Sequence, residues 1–251
     1  MNHKLQRILL TTIQDSPFES LIRRLYGIIS SDKGSKYDRE TRQVMRRTLN
    51  KDSNCIDVGA YRGEILRDML KLAPLGKTFA FEPIAENCRH ISKKYQNAII
   101  HNIALSDRAG ESTFYHVIGR PARSGLQRQA YPDPNEQVKT IKVQVRRIDD
   151  IMPKDIKIDF IKIDVEGAEL LVLRGGENLI RTSKPTIVFE HATKPAKQFG
   201  SSSEQVFDFM TNRCGLNISS MERWLKSKRP YSISEFIDSV YSNKEFYFIG
   251  Y

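Results

Sequence analysis

The stretch Asn54–Glu64, with the sequence N-C-I-D-V-G-A-Y-R-G-E, constrains the fold of this chain most. Its apolar residues on either side of Asp57 predict a short buried strand. Gly59 and Gly63 then bracket a tight turn, and the residues from Glu64 onwards predict a helix. Glycine permits a close backbone approach that a side chain would block, and a helix start offers unpaired N–H groups. This arrangement is suited to a nucleotide-like ligand, although an ordinary turn of any α/β protein would show the same pattern.

The length of 251 residues favours one α/β domain with an additional segment. Contents of 39% hydrophobic and 28% charged residues are typical of a globular protein with a substantial core. The sequence has no apolar run of the roughly 18 residues that would predict a membrane span. Three scattered cysteines, Cys55, Cys88 and Cys214, favour a reducing compartment over a disulfide framework. We therefore predict a cytoplasmic protein.

The formal net charge of +10 favours anionic partners. The basic residues occur as dispersed pairs, and the compact basic run of a nucleic-acid-binding surface is missing. We therefore do not expect nucleic acid as a partner.

Residues 1–50 show apolar residues at helical spacing and little that suggests chemistry. Asp38 is a candidate N-cap for the last helix of this segment. We predict an N-terminal helical cap over residues 1–50, packed on a domain that comprises residues 51–251. A lid over the active site is the alternative interpretation of the same segment.

A second strand is predicted at Thr78–Phe81, and it ends in Glu82, 23 positions beyond Gly59. In dinucleotide-type folds an acid about 20 residues after the glycine turn accepts hydrogen bonds from ribose hydroxyls. A carboxylate suits this role because its two oxygens can accept from a vicinal diol. A third strand is predicted at Ala98–Leu105.

Two further buried strands are predicted at Phe160–Ile163 and Pro185–His191. The first is followed by the acids Asp164, Glu166 and Glu169, and the second ends in Glu190 and His191. Ligands of open α/β sheets bind at the carboxyl ends of the strands. Crowded carboxylates cost energy unless they serve a proton or a cation, whereas an acid at a helix start, such as Glu169, is also favoured by the helix dipole. We predict no metal site, and a divalent cation that orients a diol is the alternative use of these acids.

Strands separated by helical stretches predict a mostly parallel sheet with helices on both faces. Four motifs also occur in a characteristic order: C-I-D-V-G-A-Y-R-G-E, F-E-P-x-x-x-N at Phe81–Asn87, N-I-A-L-S-D at Asn102–Asp107, and F-I-K-I-D-V-E-G-A-E at Phe160–Glu169. Together they resemble the FkbM-type methyltransferases over residues 37–251. The family usually has D-V-G-A-N-x-G, so Tyr61 is a departure from its pattern, and Arg62 follows at its variable position.

The resemblance implies an S-adenosylmethionine-dependent O-methyltransferase with a Rossmann-like class I sheet, mostly parallel with an antiparallel last strand. The implied cofactor site comprises Asp57, Gly59, Ala60, Tyr61 and Gly63 around the methionine part, Glu82 and Pro83 at the ribose, Asn102, Ile103 and Ala104 near the adenine, and Asp164 near the sulfonium. A hydroxyl is a poor nucleophile, so a general base beside it is expected. The candidate bases are Glu166, Glu190 and His191, with Asp164 as a further candidate.

The resemblance implies a small-molecule or glycan hydroxyl as acceptor, on a sugar or a natural product. The arginines Arg120, Arg123 and Arg128 and the basic segment 226–229 favour an acidic acceptor. A nucleic-acid methyltransferase is one alternative, although the tetrapeptide of amino-methylating enzymes and the Pro-Cys pair of cytosine-C5 enzymes are missing. A nicotinamide dehydrogenase would carry G-x-G-x-x-G, which the glycine turn here does not match. A non-catalytic protein that retains the fold is the third alternative.

Overall fold

The computed structural model describes residues 33–129 and 135–251. These residues fall into two units that divide between Glu40 and Thr41. Most of the predicted cap, and with it the proposed lid, lies outside the described residues, so the division at residue 50 remains a prediction. Helix α1 extends over Lys33–Thr48, and Asp38 therefore lies inside it and is not its N-cap.

The remaining helices begin and end at the following residues: α2 Glu64–Leu72, α3 Ala85–Lys94, α4 Ile148–Ile151, α5 Glu169–Gly175, α6 Glu177–Ser183, α7 Thr193–Gln198, α8 Ser203–Asp208, α9 Met221–Leu225 and α10 Ile233–Tyr241. The strands are β1 Cys55–Val58, β2 Thr78–Phe81, β3 Ala98–His101, β4 Ala104–Leu105, β5 Gly110–Val117, β6 Val138–Arg146, β7 Phe160–Ile163, β8 Thr186–Glu190, β9 Ile218–Ser220 and β10 Tyr247–Gly250. A 3₁₀ turn, Pro121–Arg123, and a π-helical turn, Phe209–Arg213, complete the described elements.

Seven strands form the main sheet, in the order β3-β2-β1-β7-β8-β10-β9. The pairs among β3, β2, β1, β7 and β8 are parallel, whereas β10 pairs antiparallel with both β8 and β9. The prediction of a mostly parallel Rossmann-like sheet with an antiparallel last strand is therefore confirmed. The carboxyl ends of β1, β2, β7 and β8 meet at one edge of this sheet, where the functional residues were predicted.

The two faces of the main sheet are packed into different apolar clusters. Phe79 and Phe81 of β2 belong to the larger cluster, together with Leu173 of α5. Ala80, between them, packs into a smaller cluster with residues of α2 and α3. Because successive side chains of a strand point to opposite faces, helices cover both faces of the sheet. This two-sided burial explains the short, almost wholly apolar strands.

The predicted third strand at Ala98–Leu105 is in fact two strands in two sheets. β3 joins the main sheet, whereas Ala104 pairs with Val145 in a second sheet of order β4-β6-β5. The break lies at Asn102, whose side-chain amide donates to the backbone oxygens of Glu82 and Pro83, at 2.8 and 3.0 Å. These two hydrogen bonds tie the chain to the end of β2 and direct it away from the main sheet. Over the described ranges, none of the helices has both the length and the apolar content that a membrane crossing requires.

Candidate active site

The glycine turn after β1 lies directly against the loop that follows β7. Gly59 has a φ of +77°, and a Cβ at this position would lie 2.0 Å from the backbone oxygen of Asp164. Gly63 has a φ of +75° and starts α2. The backbone N–H of Gly59 donates to Phe81 O at 3.0 Å, which fixes the turn to the end of β2. Glycine is therefore required at position 59 both for its conformation and for this close approach.

Glu82 is 4% exposed, and its carboxylate is held by backbone donors. The N–H of Tyr61 donates to Oε2 and the N–H of Ile84 donates to Oε1, each at 2.9 Å. Burial raises the pKa of Glu82 to about 7, although both hydrogen bonds oppose that shift. Oε1 also accepts from the side-chain amide of Asn87 at 3.4 Å, whereas Oε2 keeps a second lone pair. The side chain is therefore oriented by the turn and can still accept from a ligand.

One cavity, with an empty volume of about 580 Å³ including its solvent-open part, joins the glycine turn, Glu82 and the loop after β7. Its polar lining includes Gly59, Tyr61, Glu82, Ser124, Asp164 and Glu166, and its apolar lining includes Ile103, Ala104, Phe114, Leu126 and Val165. A cleft with an apolar wall and a few convergent polar groups is typical of sites for small molecules and cofactors. Part of the wall, Pro121–Leu126, comes from the long loop between β5 and β6.

Three carboxylates meet at the carboxyl ends of β7 and β8, and we call Asp164, Glu166 and Glu190 the acid edge. Each offers an oxygen, and these oxygens lie within 4.8 Å of one another. The hydroxyl of Tyr247 donates to Asp164 Oδ2 at 2.6 Å. The side chain of Gln129 donates to the backbone oxygen of Glu166 at 3.0 Å and to its Oε2 at 3.1 Å.

Two members of the acid edge, Glu166 and Glu190, hold their protons more tightly than isolated carboxyl groups do. Burial, with the neighbouring charge of Asp164, raises the pKa of Glu166 to about 7. Burial and the charges of Asp164 and Glu166 raise the pKa of Glu190 well above its usual value. A carboxylate whose pKa lies near neutral pH is suited to general acid–base work. The spacing of the three oxygens would also suit a divalent cation.

Lys162 lies within this group of acids, although it occupies the middle of an apolar strand. Its Nζ lies 3.2 Å from Asp164 Oδ2, 3.9 Å from Asp57 Oδ1 and 3.3 Å from Gly59 O. Asp57 is 1% exposed, and its carboxylate oxygens have no hydrogen bond of ordinary length. Burial raises the pKa of Asp57, while Lys162 opposes that shift. Lys162 therefore compensates charge on two neighbouring strands.

The contacts of Glu169 and His191 indicate structural roles for both residues. Glu169 is buried, and its Oε1 accepts from the N–H groups of Val165 and Gly167, both at 3.1 Å, so it shapes the loop after β7. The Nε2 of His191 lies 3.0 Å from Ser203 Oγ. The His191 ring stacks on Phe236 at 5.9 Å between centroids, and burial lowers its pKa to about 4. The structure does not bring His191 into the acid edge.

The predicted basic residues are in part already paired with acids. Arg120 Nε lies 3.3 Å from Glu136 Oε2. Arg229 makes a bidentate pair with Glu235, at 2.7 and 2.8 Å. Arg123, in the loop that lines the cavity, is exposed, and its charge lowers the pKa of Glu166. Of these arginines, Arg123 has the clearest electrostatic effect on the site.

Most of the residues predicted to hold the cofactor line one cavity. These are Gly59, Tyr61, Glu82, Pro83, Ile103, Ala104 and Asp164. Others, namely Asp57, Ala60, Gly63 and Asn102, are outside its lining and support the turn or the end of β2. The sequence analysis missed Lys162, Tyr247 and Gln129. A charged residue inside an apolar strand, between acids, was the signal available for Lys162, whereas Tyr247 and Gln129 have no local signal.

Comparison with known proteins places this site in a family. Residues 57–217 match the family described as "Methyltransferase FkbM domain". The 2-O-methyltransferase NoeI of Sinorhizobium fredii is 31% identical over 157 residues, which are 56% of this chain and 65% of NoeI. The crystal structure of methyltransferase FkbM from Methylobacillus flagellatus KT matches with a TM-score of 0.50 at 16% identity, over 81% of this chain and 44% of that one, and supports the fold. The matched regions thus cover less than two thirds of the length of NoeI and of the Methylobacillus flagellatus protein. Because the family match covers more than half of the sequence, this chain belongs to the FkbM methyltransferase domain family.

Proposed function

We propose that this protein is an S-adenosylmethionine-dependent O-methyltransferase that acts on a hydroxyl of a sugar, a glycan or a natural product. The observation that carries the proposal is the single cavity that joins the glycine turn, Glu82 and two residues of the acid edge, Asp164 and Glu166. Family membership supports methyl transfer. The name of the relative NoeI, a 2-O-methyltransferase, supports oxygen as the atom that is methylated.

The residues of the cavity fit the proposed cofactor chemically. Glu82 offers acceptor lone pairs to a vicinal diol, as the ribose of the cofactor requires. The apolar wall that includes Ile103, Phe114 and Leu126 suits a planar base. Carboxylates at the opposite end, at Asp164 and Glu166, suit a sulfonium cation.

When bound, the cofactor supplies a methyl carbon that the positive sulfur makes electrophilic. The protein then has to hold the acceptor hydroxyl at attack distance, and orientation of this kind can supply several kcal/mol. A base of the acid edge would take the hydroxyl proton. Asp164 Oδ2 forms an ion pair with Lys162 and accepts a hydrogen bond from Tyr247, whereas Glu166 lines the cavity and has a pKa of about 7. Glu166 is therefore the first candidate base, followed by Glu190.

Isothermal titration with S-adenosylmethionine tests the cofactor assignment. We expect binding by the wild type and a loss of at least about tenfold in affinity for Glu82→Gln, since the amide offers one acceptor oxygen in place of two. Glu86→Gln is the matched control because Glu86 is exposed in the first turn of α3. A wild-type protein that folds but does not bind the cofactor would refute the proposed function.

Turnover with methyl-labelled cofactor and a panel of hydroxylated acceptors tests the reaction. We expect Glu166→Gln to lower kcat by about 10²–10⁴-fold, as loss of a general base does, a larger effect than its effect on cofactor binding. If Glu166→Gln keeps turnover within a few-fold of the wild-type value, Glu166 is not the base, and Glu190→Gln would be tested next. Turnover lost on chelation and restored by Mg²⁺ would instead indicate that the acid edge binds a cation.

The proposed acidic acceptor can be tested separately at the cavity wall. Arg123 is exposed in the loop that lines the cavity, whereas Arg229 is paired with Glu235. For an acceptor with a carboxylate or phosphate we expect Arg123→Glu to raise the acceptor KM by about tenfold or more, and Arg229→Glu to leave it unchanged. An unchanged KM in Arg123→Glu would leave only a neutral acceptor.

Nucleic acid remains the second candidate acceptor because the formal net charge is +10. A gel-shift titration with RNA and DNA at physiological salt decides between the two classes. We expect no shift at micromolar protein. Salt-resistant binding, followed by label transfer to the nucleic acid, would favour the nucleic-acid methyltransferase over the O-methyltransferase of small molecules.

A further inference from the structure

We propose that Lys162 is a positioning residue that couples two parts of the site. One is the cofactor half, which we define as the glycine turn with Glu82, and the other is the acid edge. Its ammonium holds the backbone oxygen of Gly59 and the carboxylate of Asp164 in one fixed arrangement. The inference deepens the proposed methyl transfer and rests on it.

The location of Lys162 follows from strand pairing. β1 and β7 are adjacent and parallel, and Lys162 is the register partner of Asp57 at the centre of the main sheet. The lysine is 8% exposed, so its charge lies inside the protein and not on its surface. A buried charge is costly unless it is paired and hydrogen-bonded. The groups that compensate the charge of Lys162 lie at the junction of the glycine turn with the loop after β7.

Two donors meet at one oxygen of Asp164. Lys162 Nζ lies 3.2 Å from Oδ2, and the Tyr247 hydroxyl donates to the same atom at 2.6 Å. An ion pair and a hydrogen bond thus hold the same oxygen, so the carboxylate is fixed in orientation. Tyr247 belongs to β10 and Lys162 to β7. Two strands of the main sheet therefore determine where the Asp164 carboxylate lies.

The same ammonium also reaches the cofactor half. Its nitrogen lies 3.3 Å from the backbone oxygen of Gly59, in the turn that lines the cavity. The backbone of Gly59 in turn lies so close to Asp164 that an added Cβ would come within 2.0 Å of the Asp164 oxygen. A displacement of Lys162 would thus disturb the turn and the acid edge together.

The charges around Lys162 explain why a cation is placed there. The acids that face this region are Asp57 within β1, Glu82 after β2, Asp164 and Glu166 after β7, Glu169 at the start of α5 and Glu190 at the end of β8, while Arg123 approaches Glu166 from the loop between β5 and β6. In this arrangement the ammonium supplies a fixed positive charge that needs no ion from solution. A divalent cation on the acid edge is the competing source of positive charge.

Four variants of the full-length protein test the coupling: Lys162→Met, Lys162→Arg, Tyr247→Phe and the double variant Lys162→Met/Tyr247→Phe. Lys157→Met is the matched control because Lys157 is exposed, five residues earlier in the same segment. The readouts are the Kd for S-adenosylmethionine by titration calorimetry, the melting temperature without ligand, and kcat and acceptor KM.

We expect Lys162→Met to weaken cofactor binding about tenfold, from the lost contact with the Gly59 oxygen, and to lower kcat about 100-fold through the misplaced acid edge. Lys162→Arg should restore part of both. Tyr247→Phe should lower kcat about tenfold and weaken cofactor binding less than Lys162→Met does, since Tyr247 holds Asp164 but not the Gly59 oxygen. Because both residues hold one atom, the double variant should lose less than the product of the two single effects.

The outcomes separate the inference from the proposed function. A wild type that does not bind the cofactor refutes both. A wild type that binds and turns over, with Lys162→Met equal to Lys157→Met in Kd and kcat, refutes the coupling alone. Independent effects of Lys162 and Tyr247 on kcat, or wild-type turnover abolished by chelation, would also overturn it. If Lys162→Met does not fold, Lys162→Arg and Tyr247→Phe decide the question, and unchanged kcat in both refutes the inference.

Discussion

Replacement of Gly59 by alanine tests the close approach between the glycine turn and the loop after β7. An added Cβ would lie 2.0 Å from the backbone oxygen of Asp164 and 3.2 Å from its carbonyl carbon. The neighbour is backbone, so a loop of the site must move. The φ of +77° adds a penalty of roughly 1–2 kcal/mol for a residue with a Cβ, and overpacking adds roughly 1–3 kcal/mol. We expect Gly59→Ala to lower the free energy of unfolding by roughly 2–5 kcal/mol.

Gly200→Ala is the matched control for this prediction. Gly200 has a similar φ of +65°, but a Cβ there would meet nothing within 4 Å. It should therefore cost only the conformational penalty of roughly 1–2 kcal/mol. Urea unfolding followed by circular dichroism, without ligand, measures both variants, and titration calorimetry then measures cofactor binding. Equal losses of stability in the two variants, or wild-type cofactor affinity in Gly59→Ala, would refute the reasoning.

Three further predictions follow from the buried titratable groups. Burial raises the pKa of Glu82 to about 7, and the hydroxyl donors of the cofactor favour the ionised form of this carboxyl group. Cofactor binding near pH 7 should therefore release protons, and the affinity should fall by up to about tenfold for each pH unit below 7. Equal heats of binding in two buffers of different ionisation enthalpy would contradict this. His191→Gln should lower the melting temperature and leave kcat within a few-fold of the wild-type value, because the partners of His191, Ser203 and Phe236, belong to the interior. A large fall in kcat without loss of stability would instead indicate a catalytic role for His191. The pKa values of Glu82 and Glu166 are about 7 and that of Glu169 is about 8, above the usual 4.5. The folded protein therefore binds more protons than the unfolded chain near neutral pH, and its urea midpoint without ligand should fall as the pH rises from about 7 to about 8.5. His191 opposes this trend only weakly over that range, because its pKa is about 4 in the folded protein and 6.5 ordinarily. A rising midpoint would show that these acids are not buried as described.

Local patterns predicted the cofactor half of the site because its parts are close in sequence. Gly59 and Glu82 end two neighbouring strands joined by one helix, and the length of such a unit fixes their spacing. The burial of β1, β2 and β7 likewise follows from their apolar runs. The break after β3 was missed because Asn102 acts through hydrogen bonds to Glu82 and Pro83, which no periodicity reveals.

The acid edge could be predicted only in part because its geometry depends on distant strands. Glu190 and His191 are neighbours in sequence, but adjacent residues of an extended chain point to opposite sides, and His191 enters the interior. Tyr247 reaches Asp164 from 83 positions away, across the sheet. Lys162 lies within a buried apolar strand, and only the pairing of that strand with β1 places it beside Asp57.

Backbone strain in the described residues separates the site from the rest of the fold. Lys184, Ser227 and Asn243 have positive φ, and each lies just after a helix, where left-handed residues are common. The other two non-glycine residues with positive φ are Tyr61, in the glycine turn, and Glu166, in the acid edge. Neither ends a helix, and both line the cavity. Left-handed backbone, buried carboxylates and raised pKa values thus coincide at the ends of β1 and β7. Each of these three features lowers the stability of the folded protein. Their occurrence together is therefore expected where residues serve ligand binding or catalysis and not packing of the core.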